Sequence, residues 1–245
     1  MEKKHTLMWF LLPSLCGILV FYCIPFVLSL YYAMIDNMGS RRFVGFENFI
    51  ETFRNPVFQR GLTNTLLFLS IGTPLLILGA LLLALSLKKI SRGREFVLLV
   101  FLLPGIIPSG TISYFWKAIF DVNGWLNKVL YISGIPIVNW QNSKWVMAIA
   151  VIIFLWKNIG FSAILFLSGL NRIPKEYYET ASSEGAGEWV RFRDVTLIYL
   201  TPTSFIVLLL AMVNSFKIFK EIYILYGNYP SQNIYLLQHY MNNQF

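Results

Sequence analysis

The sequence predicts an all-α integral membrane protein, a polytopic bundle of helices. Of its 245 residues, 56% are hydrophobic and only 13% are charged, whereas soluble domains carry about 25% charged residues. The apolar residues are gathered in runs of about 20 residues or more, which is long enough to cross a bilayer as helices. The formal charge of +8 does not indicate nucleic-acid binding, because the basic residues fall between these runs and orient the chain in the membrane.

The first apolar run extends from residue 7 to residue 35 and contains no charged side chain. It is far longer than the apolar region of a cleaved signal peptide, so it predicts an uncleaved anchor helix. Cys16 and Cys23 lie within it, about 10.5 Å apart along a helix, which is too far for a disulfide. Farther along, residues 43–53 predict a short helix at the outer membrane surface.

Four further apolar runs predict membrane spans. They are residues 62–87, 96–116, 145–170 and 195–216. Pro104 and Pro108 interrupt the third span of the chain, and irregular backbone at membrane depth is tolerated only where it is buried or lines a cavity. The break is therefore either a plain kink or an element of a pathway. Residues 121–144, between the third and fourth spans, are predicted to form a loop.

The distribution of lysine and arginine orients these five spans. Lys88, Lys89, Arg92 and Arg94 crowd one short connection between the second and third spans. The positive-inside rule therefore places that connection and the N-terminus in the cytoplasm. The same orientation puts the polar segment 171–201 inside and the tail from residue 217 outside.

The polar segment 171–201 separates the fourth and fifth spans and is far longer than a turn requires. Pro174 is preset for the first turn of a helix, and the next nine residues predict a short amphipathic helix with Tyr178 on one face. Gly185 ends this helix and permits a sharp turn. The residues alone leave two interpretations open, an elbow lying on the lipid surface or a docking element for a partner.

This segment resembles the EAA loop of permease subunits of binding-protein-dependent ABC importers, especially those of the sugar type. That family's pattern is Glu-Ala-Ala, then Gly-Ala, then a spaced Phe, Ile and Leu. The matching residues are Glu179, Thr180, Ala181, Glu184, Gly185, Ala186, Phe192, Val195 and Leu197. The lead-in LSGLNRIPKEYY is also similar. Thr180 replaces an alanine and Glu184 replaces an aspartate, which keeps size or charge. Ile198 stands where a proline is common, and this third difference bears only on the local backbone geometry.

The resemblance implies a bundle of the type I ABC importer permease kind that translocates a sugar or a related small solute. It implies three kinds of partner in a bacterial or archaeal cytoplasmic membrane: two ATP-binding subunits, a second and different permease subunit, and an extracytoplasmic solute-binding protein. It divides the chain into an anchor helix with an outer interfacial segment, residues 1–61, and the permease core, residues 62–245. The family's sixth span is expected after Phe245, so a truncated chain is expected.

The resemblance also assigns the contact with an ATPase to the loop. Glu179 is expected to be the charged contact, Ala181 the close-packed face and Gly185 the required turn, with Glu184 and Ala186 in the same motif. The chain has no GxxxxGK[ST] phosphate loop, so ATP is expected to bind the partner subunits and the chain is predicted not to be an enzyme. No metal site and no cofactor are expected, because no HExxH, GxSxG or paired-cysteine motif occurs.

Four polar side chains in the spans are candidates for lining a translocation pathway. Lys157 is the one ionisable group well inside a predicted span, where a charge is costly unless it faces protein or water. Asn158, Asn64 and Asn214 are able to hydrogen-bond a sugar hydroxyl. For all four, packing, pairing or hydrogen bonding between helices is the open alternative.

Two other functions are compatible with a polytopic bundle. An ATPase-independent secondary transporter or channel predicts charged relays within the spans, for which only Lys157 and Lys117 qualify. A membrane scaffold that anchors a soluble partner makes no demand on these residues. A membrane enzyme should show His, Asp or Glu converging at span ends, and the sequence shows no such group.

Overall fold

A computed structural model of the protein describes residues 2–36 and 42–244. In this part of the chain nearly all regular structure is helical, and the only extended pairing is an isolated antiparallel bridge between Ile35 and Phe43. The α-helices are α1 (Glu2–Ile18), α2 (Ile24–Ala33), α3 (Glu47–Arg54), α4 (Pro56–Lys89), α5 (Arg94–Ile106), α6 (Ser109–Phe120), α7 (Trp125–Ile132), α8 (Val146–Asn171), α9 (Lys175–Ser183), α10 (Glu188–Arg191), α11 (Leu197–Lys217), α12 (Phe219–Tyr226) and α13 (Leu237–Gln244).

Two compact units divide the chain, Met1–Gln59 and Arg60–Phe245. In the first unit a π-helical turn, Leu19–Cys23, joins α1 to α2 just before Pro25, whose ring is incompatible with regular helix hydrogen bonding at that point. The predicted outer helix forms as α3. The Asn48 side chain donates hydrogen bonds of 2.9 Å to the carbonyls of Ala33 and Ile35, which fixes α3 at the end of α2.

Four helical segments in the described residues are long and apolar enough to cross a membrane. They are Phe10–Ala33, Pro56–Lys89, Val146–Asn171 and Glu188–Tyr226. A fifth candidate is a bent pair of segments, Arg94–Ile106 and Ser109–Ile132, which meet at 99°. The number of crossings depends on whether this pair is one broken span or a re-entrant loop, so the predicted count of five stays a prediction.

The break between α5 and α6 lies where the prolines predict an interruption. Ile107 and Pro108 are extended, with ψ of 134° and 142°, and Pro104 is buried within the last turns of α5. A proline removes a backbone donor and restricts the preceding residue to extended conformations. The third apolar run therefore changes direction sharply at this point, which is more than a kink.

Helix α8 is the most buried of the candidate spans and packs against both α5 and α11. At the contact between α8 and α5 the two helix backbones approach each other directly, with no side chain between them. A Cβ atom added to Gly160 would stand 2.0 Å from the carbonyl oxygen of Phe101, and one added to Gly105 would stand 3.2 Å from the carbonyl oxygen of Lys157. Within a membrane the hydrophobic effect does not drive helices together, because the lipid is as apolar as the side chains. Small residues promote association there because they allow two helix backbones to approach closely.

Residues 121–144 are predicted to form a loop, and this prediction is wrong in part, because α7 and a short 3-10 turn form there. The buried side chain of Asn127 organises the segment. Its amide group donates to the carbonyls of Val122 and Val138 at 2.9 Å, and its oxygen accepts from the Val138 N–H and the Trp140 indole at 3.1 Å. One side chain with two donors and an acceptor thus replaces the backbone ladder that an irregular segment lacks.

The C-terminal segment is fastened to the first turns of α4. The Asn64 side chain donates to the carbonyls of Gln232 and Tyr235 at 2.8 and 2.9 Å, and the Thr65 hydroxyl accepts from the Leu237 N–H at 2.9 Å. These bonds satisfy backbone groups of an irregular segment that would otherwise lie unpaired against the helix.

His239 lies at the centre of this attachment and is fully buried. Its Nδ1 accepts a hydrogen bond of 3.1 Å from the Leu236 N–H, and its ring meets the Phe219 ring edge-on at 4.8 Å. Burial, which disfavours the charged imidazolium, lowers the pKa of His239 to about 4. The attachment is therefore built around a neutral histidine.

The glycine contact between α5 and α8 can be tested with Gly160→Ala. We expect a loss of about 2 kcal/mol or more in stability, because backbone atoms of Phe101 cannot move aside as a flexible side chain would. Gly110→Ala is the control, since no atom lies within 4 Å of a Cβ there. The measurement is the thermal midpoint of the purified protein in nanodiscs, and equal midpoints for the two variants would contradict the packing described.

The His239 attachment should weaken in acid. The histidine has a pKa near 6.5 when unfolded and about 4 when folded, so its stabilisation is present above pH 6.5 and is lost as the pH falls towards 4. We expect the protection factors of the amides of residues 231–244, which compare each exchange rate with the intrinsic rate at the same pH, to fall between pH 7 and pH 5. In His239→Asn, which keeps an acceptor but cannot titrate in this range, that fall should be much smaller.

Candidate functional site

Helix α9 and the turn that follows it form the first candidate site. The helix begins after Pro174 and spans Lys175–Ser183, as the sequence predicts. The Gly185 N–H donates to the carbonyl of Ser182 at 3.0 Å, and the Ala186 N–H donates to the carbonyl of Ala181 at 2.9 Å. This pair of hydrogen bonds ends a helix when the residue that follows the last helical turn has a left-handed backbone conformation. Gly185 fits that requirement, with φ of +83°.

The five motif residues predicted for partner contact lie together on this helix and turn. Glu179, Glu184 and Gly185 are exposed, whereas Ala181 and Ala186 are half-buried. The helix thus presents carboxylates outward and small residues towards the protein. Such a surface suits a partner with a basic groove, because it offers charge complementarity without long apolar side chains.

Two side-chain contacts hold α9 to α10 and α11, the helices that follow it. Arg191 donates a hydrogen bond of 2.9 Å to the Ser182 hydroxyl, which ties α10 to the last turn of α9. The rings of Tyr177 and Tyr199 lie 5.0 Å apart, which joins α9 to the start of α11. The helix is therefore attached to the core despite its short length.

A cavity within the second unit forms the other candidate site. Lys157 and Asn158 from α8 and Asn214 from α11 line it together, so the structure brings together three of the four predicted pathway residues. The cavity has a volume of about 280 Å³. Its remaining lining residues are Leu102, Gly105, Ile106 and Phe161. The end of α5, just before the break, thus contributes one wall.

A smaller cavity of about 60 Å³ adjoins the first and shares Lys157, Asn158 and Asn214 with it. Lys217 and Glu221 also line this second cavity. Amide and ammonium groups are donors suited to the hydroxyl and acidic oxygens of small polar solutes.

Lys157 is paired, which is one of the roles that the sequence leaves open for it. Its ammonium group donates to a carboxylate oxygen of Glu221 and, at 3.0 Å, to the Ser109 hydroxyl. The Glu221 side chain is 1% exposed and that of Lys157 is 22% exposed. The pair compensates two charges that would be costly separately at this depth, and it joins α8, α12 and the N-terminus of α6.

Sequence reasoning missed Glu221, although a signal was present. Ile218 and Leu225 are buried and lie three residues before and four residues after position 221, which places them on the same helix face. An acidic residue in the middle of an apolar helical face requires a buried cationic partner. Treating the segment after Lys217 as an outer tail concealed this pattern.

Asn64 does not belong with the other three pathway candidates. Its side-chain donors are occupied by the two carbonyls of the C-terminal segment described above, and it is not among the residues that line either cavity. The predicted role of Asn64 is therefore corrected to a structural one. In contrast, Asn158 donates to the carbonyl of Phe154 within its own helix and still borders both cavities.

Neither metal nor disulfide chemistry is indicated by the geometry. Among residues 2–36 and 42–244, no three side chains of His, Cys, Asp or Glu converge as metal ligands would. Cys16 and Cys23 are free thiols, both exposed on the first apolar segment.

Comparison with protein families gives a match over most of the chain. The family described as "Binding-protein-dependent transport system inner membrane component" matches residues 49–244. This range contains α9, its turn and all residues that line the two cavities.

Curated relatives and solved structures are consistent with this match. The chain is 29% identical over 232 residues to the probable ABC transporter permease protein YurN of Bacillus subtilis (strain 168), covering 91% of this chain and 79% of that protein. It is 30% identical over 239 residues to the arabinooligosaccharides transport system permease protein AraP of the same organism, covering 95% and 76%. A crystal structure of a bacterial ABC transporter that imports the acidic polysaccharide alginate shares the fold, with a TM-score of 0.82, 24% identity and coverage of 99% and 84%.

The Lys157–Glu221 pair generates a stability prediction. Lys157→Met or Glu221→Met alone should destabilise the protein by about 3 kcal/mol, because each leaves a charged group without its partner. The double variant Lys157→Met/Glu221→Met should recover most of that loss. Thermal midpoints in nanodiscs give the measurement, and Lys217→Met serves as the control, since Lys217 has no ion pair among the described residues. Additive losses in the double variant would show that the two groups do not depend on each other.

Proposed function

The chain belongs to the family of binding-protein-dependent transport system inner membrane components, and from this premise we propose that it is the permease subunit of an ATP-driven importer for a sugar or a related small solute. The observation that supports this most directly is the exposed acidic helix α9 with its Gly185 turn, placed between α8 and α11, two of the three helices that line the cavity. Permease subunits of this family are not catalytic, and ATP hydrolysis resides in separate subunits.

The names of the relatives support the substrate class. They include permeases for arabinooligosaccharides, for trehalose and maltose, for lactose and for sn-glycerol 3-phosphate. These solutes share several hydroxyl groups in a small polar frame. The side chains at the cavity, Lys157, Asn158 and Asn214, are suited to such groups, and we propose them as pathway residues.

The proposed assembly contains the partners expected of an importer. An extracytoplasmic binding protein delivers the solute, a second permease completes the path, and two ATP-binding subunits dock on the cytoplasmic side. A related alginate transporter has been solved in complex with its solute-bound periplasmic protein, which supports the first of these contacts. We further propose an inner N-terminus in a bacterial or archaeal cytoplasmic membrane, with the bent pair α5–α6 counted as one of five crossings.

The proposed mechanism follows from the position of α9. An ATP-binding subunit that moves α9 acts on both helices flanking the loop, α8 and α11. Lys157 and Asn158 lie on α8 about 20 Å from its cytoplasmic end, and Asn214 lies on α11. Movement of the loop thus changes the distance between two walls of the cavity. Glu179 is the proposed charged contact, Ala181 the packed face and Gly185 the turn, with Glu184 and Ala186 completing the motif.

Cross-linking tests the proposed docking. In a background with Cys16→Ser and Cys23→Ser, we expect Glu179→Cys to form a cross-link to an ATP-binding subunit and to be protected from a membrane-impermeant maleimide in intact cells. Tyr229→Cys, which replaces a residue 77% exposed in the proposed outer segment, should react with the maleimide and give no such cross-link. Labelling of position 179 from outside would contradict both the orientation and the function.

The Gly185 turn gives a matched pair of variants. Cβ atoms added at Gly185 and Gly187 would both point into open space, but only Gly185 is left-handed, while Gly187 has φ of −67°. We expect Gly185→Ala to weaken association with the ATP-binding subunits by about five- to thirtyfold, which corresponds to the cost of a left-handed alanine. Gly187→Ala should bind as the parent does. Co-purification over a range of ATPase-subunit concentrations measures both, and equal binding would show that the turn is not required.

A further inference from the structure

Tyr178 occupies a different position from the other residues of α9. It is half-buried and directly precedes Glu179, which is exposed. The hydroxyl groups of Tyr178 and Thr196 are hydrogen-bonded at 2.9 Å. Thr196 is buried and lies in the π-helical turn that leads into α11. The Tyr178 hydroxyl group therefore connects α9 to the turn that precedes α11.

Lys88 supplies a second connection at the same side chain. Its ammonium group lies 5.4 Å from the centre of the Tyr178 ring, within the range of a cation–π interaction. The same group donates a hydrogen bond of 3.1 Å to the carbonyl of Leu170 in the last turn of α8, where the helix dipole favours a cation. Lys88 itself belongs to the last turn of α4.

Four elements thus meet through three side chains. They are the ends of α4 and α8, the middle of α9 and the start of the α11 span. Helix α4 does not flank the loop 171–201, so the chain connectivity gives it no share in a movement of α9. A nine-residue helix also has little orientational stability of its own, because short helices depend on tertiary contacts.

We propose that Lys88, Tyr178 and Thr196 form a coupling brace that makes α9 move as one body with α4, α8 and α11. This proposal rests on the proposed function, since it describes how a displacement of α9 by an ATP-binding subunit reaches the core. The brace residues are positioning residues, because they act through α9 and not through contact with nucleotide or solute. Without the brace, α9 keeps the Arg191–Ser182 and Tyr177–Tyr199 contacts with the elements that follow it, but only part of its displacement reaches α4.

The test uses the complete transporter in nanodiscs, with MgADP and vanadate as the nucleotide probe. Spin labels are attached at Ser91→Cys, just after α4, and Ser183→Cys, at the end of α9, in the Cys16→Ser/Cys23→Ser background. Both serine positions are exposed. Double electron–electron resonance then measures the distance between α4 and α9 with and without the trapped nucleotide. We expect the parent to give one narrow distance that is the same in both states.

The variants separate the brace from a general effect on folding. Lys88→Met removes the contacts with the Tyr178 ring and the Leu170 carbonyl, and Thr196→Val removes the hydrogen bond to Tyr178. For each variant we expect a second, broader distance component with about a fivefold larger population of detached α9. Lys88→Arg and Thr196→Ser retain the required donor or hydroxyl and should restore the narrow distance. Lys89→Met removes the neighbouring charge and should leave the distance unchanged.

Each result has a distinct meaning. A single narrow distance in Lys88→Met and Thr196→Val, with ATP hydrolysis by the assembled transporter, overturns the brace and leaves the proposed function standing. An equal broadening in Lys89→Met also overturns it, because the effect would then follow charge alone. If the ATP-binding subunits do not assemble with the parent chain, the proposed function and the brace both fail.

Discussion

The structure depends on the close approach of α8 to α5. Gly160 has no Cβ, so the backbone of α8 can lie against the carbonyl of Phe101. That contact fixes the end of α5, and with it the sharp change of direction before α6. In a bilayer, where apolar side chains are as well accommodated by lipid as by protein, backbone proximity of this kind is what distinguishes one packing arrangement from many. The cavity exists because α5 ends beside α8 and does not continue along it.

The Lys157–Glu221 pair belongs to the same arrangement. A buried ion pair contributes little net stability compared with well-packed apolar residues, but it is costly to separate. Its effect here is to specify which surfaces of α8, α12 and α6 face one another, because any rearrangement that parts the charges exposes at least one of them to lipid or to the apolar core. The ion pair therefore specifies how the helices around the cavity pack. Lys157 makes this pair and still lines the cavity.

Much of the fold could be predicted from the sequence. Apolar runs gave the long helices to within a few residues, as for α8, and local backbone chemistry gave α9, because Pro174 and Gly185 restrict the chain where they stand. Prediction failed where the determinant was a contact distant in sequence. Asn127 builds a compact segment by bonding residues up to thirteen positions away, and Glu221 pairs with a lysine 64 positions earlier. The helix face around Glu221 signals that a cationic partner is needed, but no local pattern identifies which residue that partner is. For the same reason Asn64 and Lys157 fall in one candidate group although the fold separates them.

The position of the acidic helix relative to the cavity shows why a short loop can act at a distance. Packed helices transmit displacement because protein interiors are nearly incompressible, and α8 and α11 are each continuous from the loop to the cavity lining. A flexible loop between them would absorb movement before it reached either helix. The left-handed turn at Gly185 and the bond between Arg191 and Ser182 restrict that freedom on the α11 side, and the two residues between α8 and Pro174 restrict it on the other. The loop is therefore long enough to present a surface to a partner and sufficiently constrained to move its two helices when that surface moves.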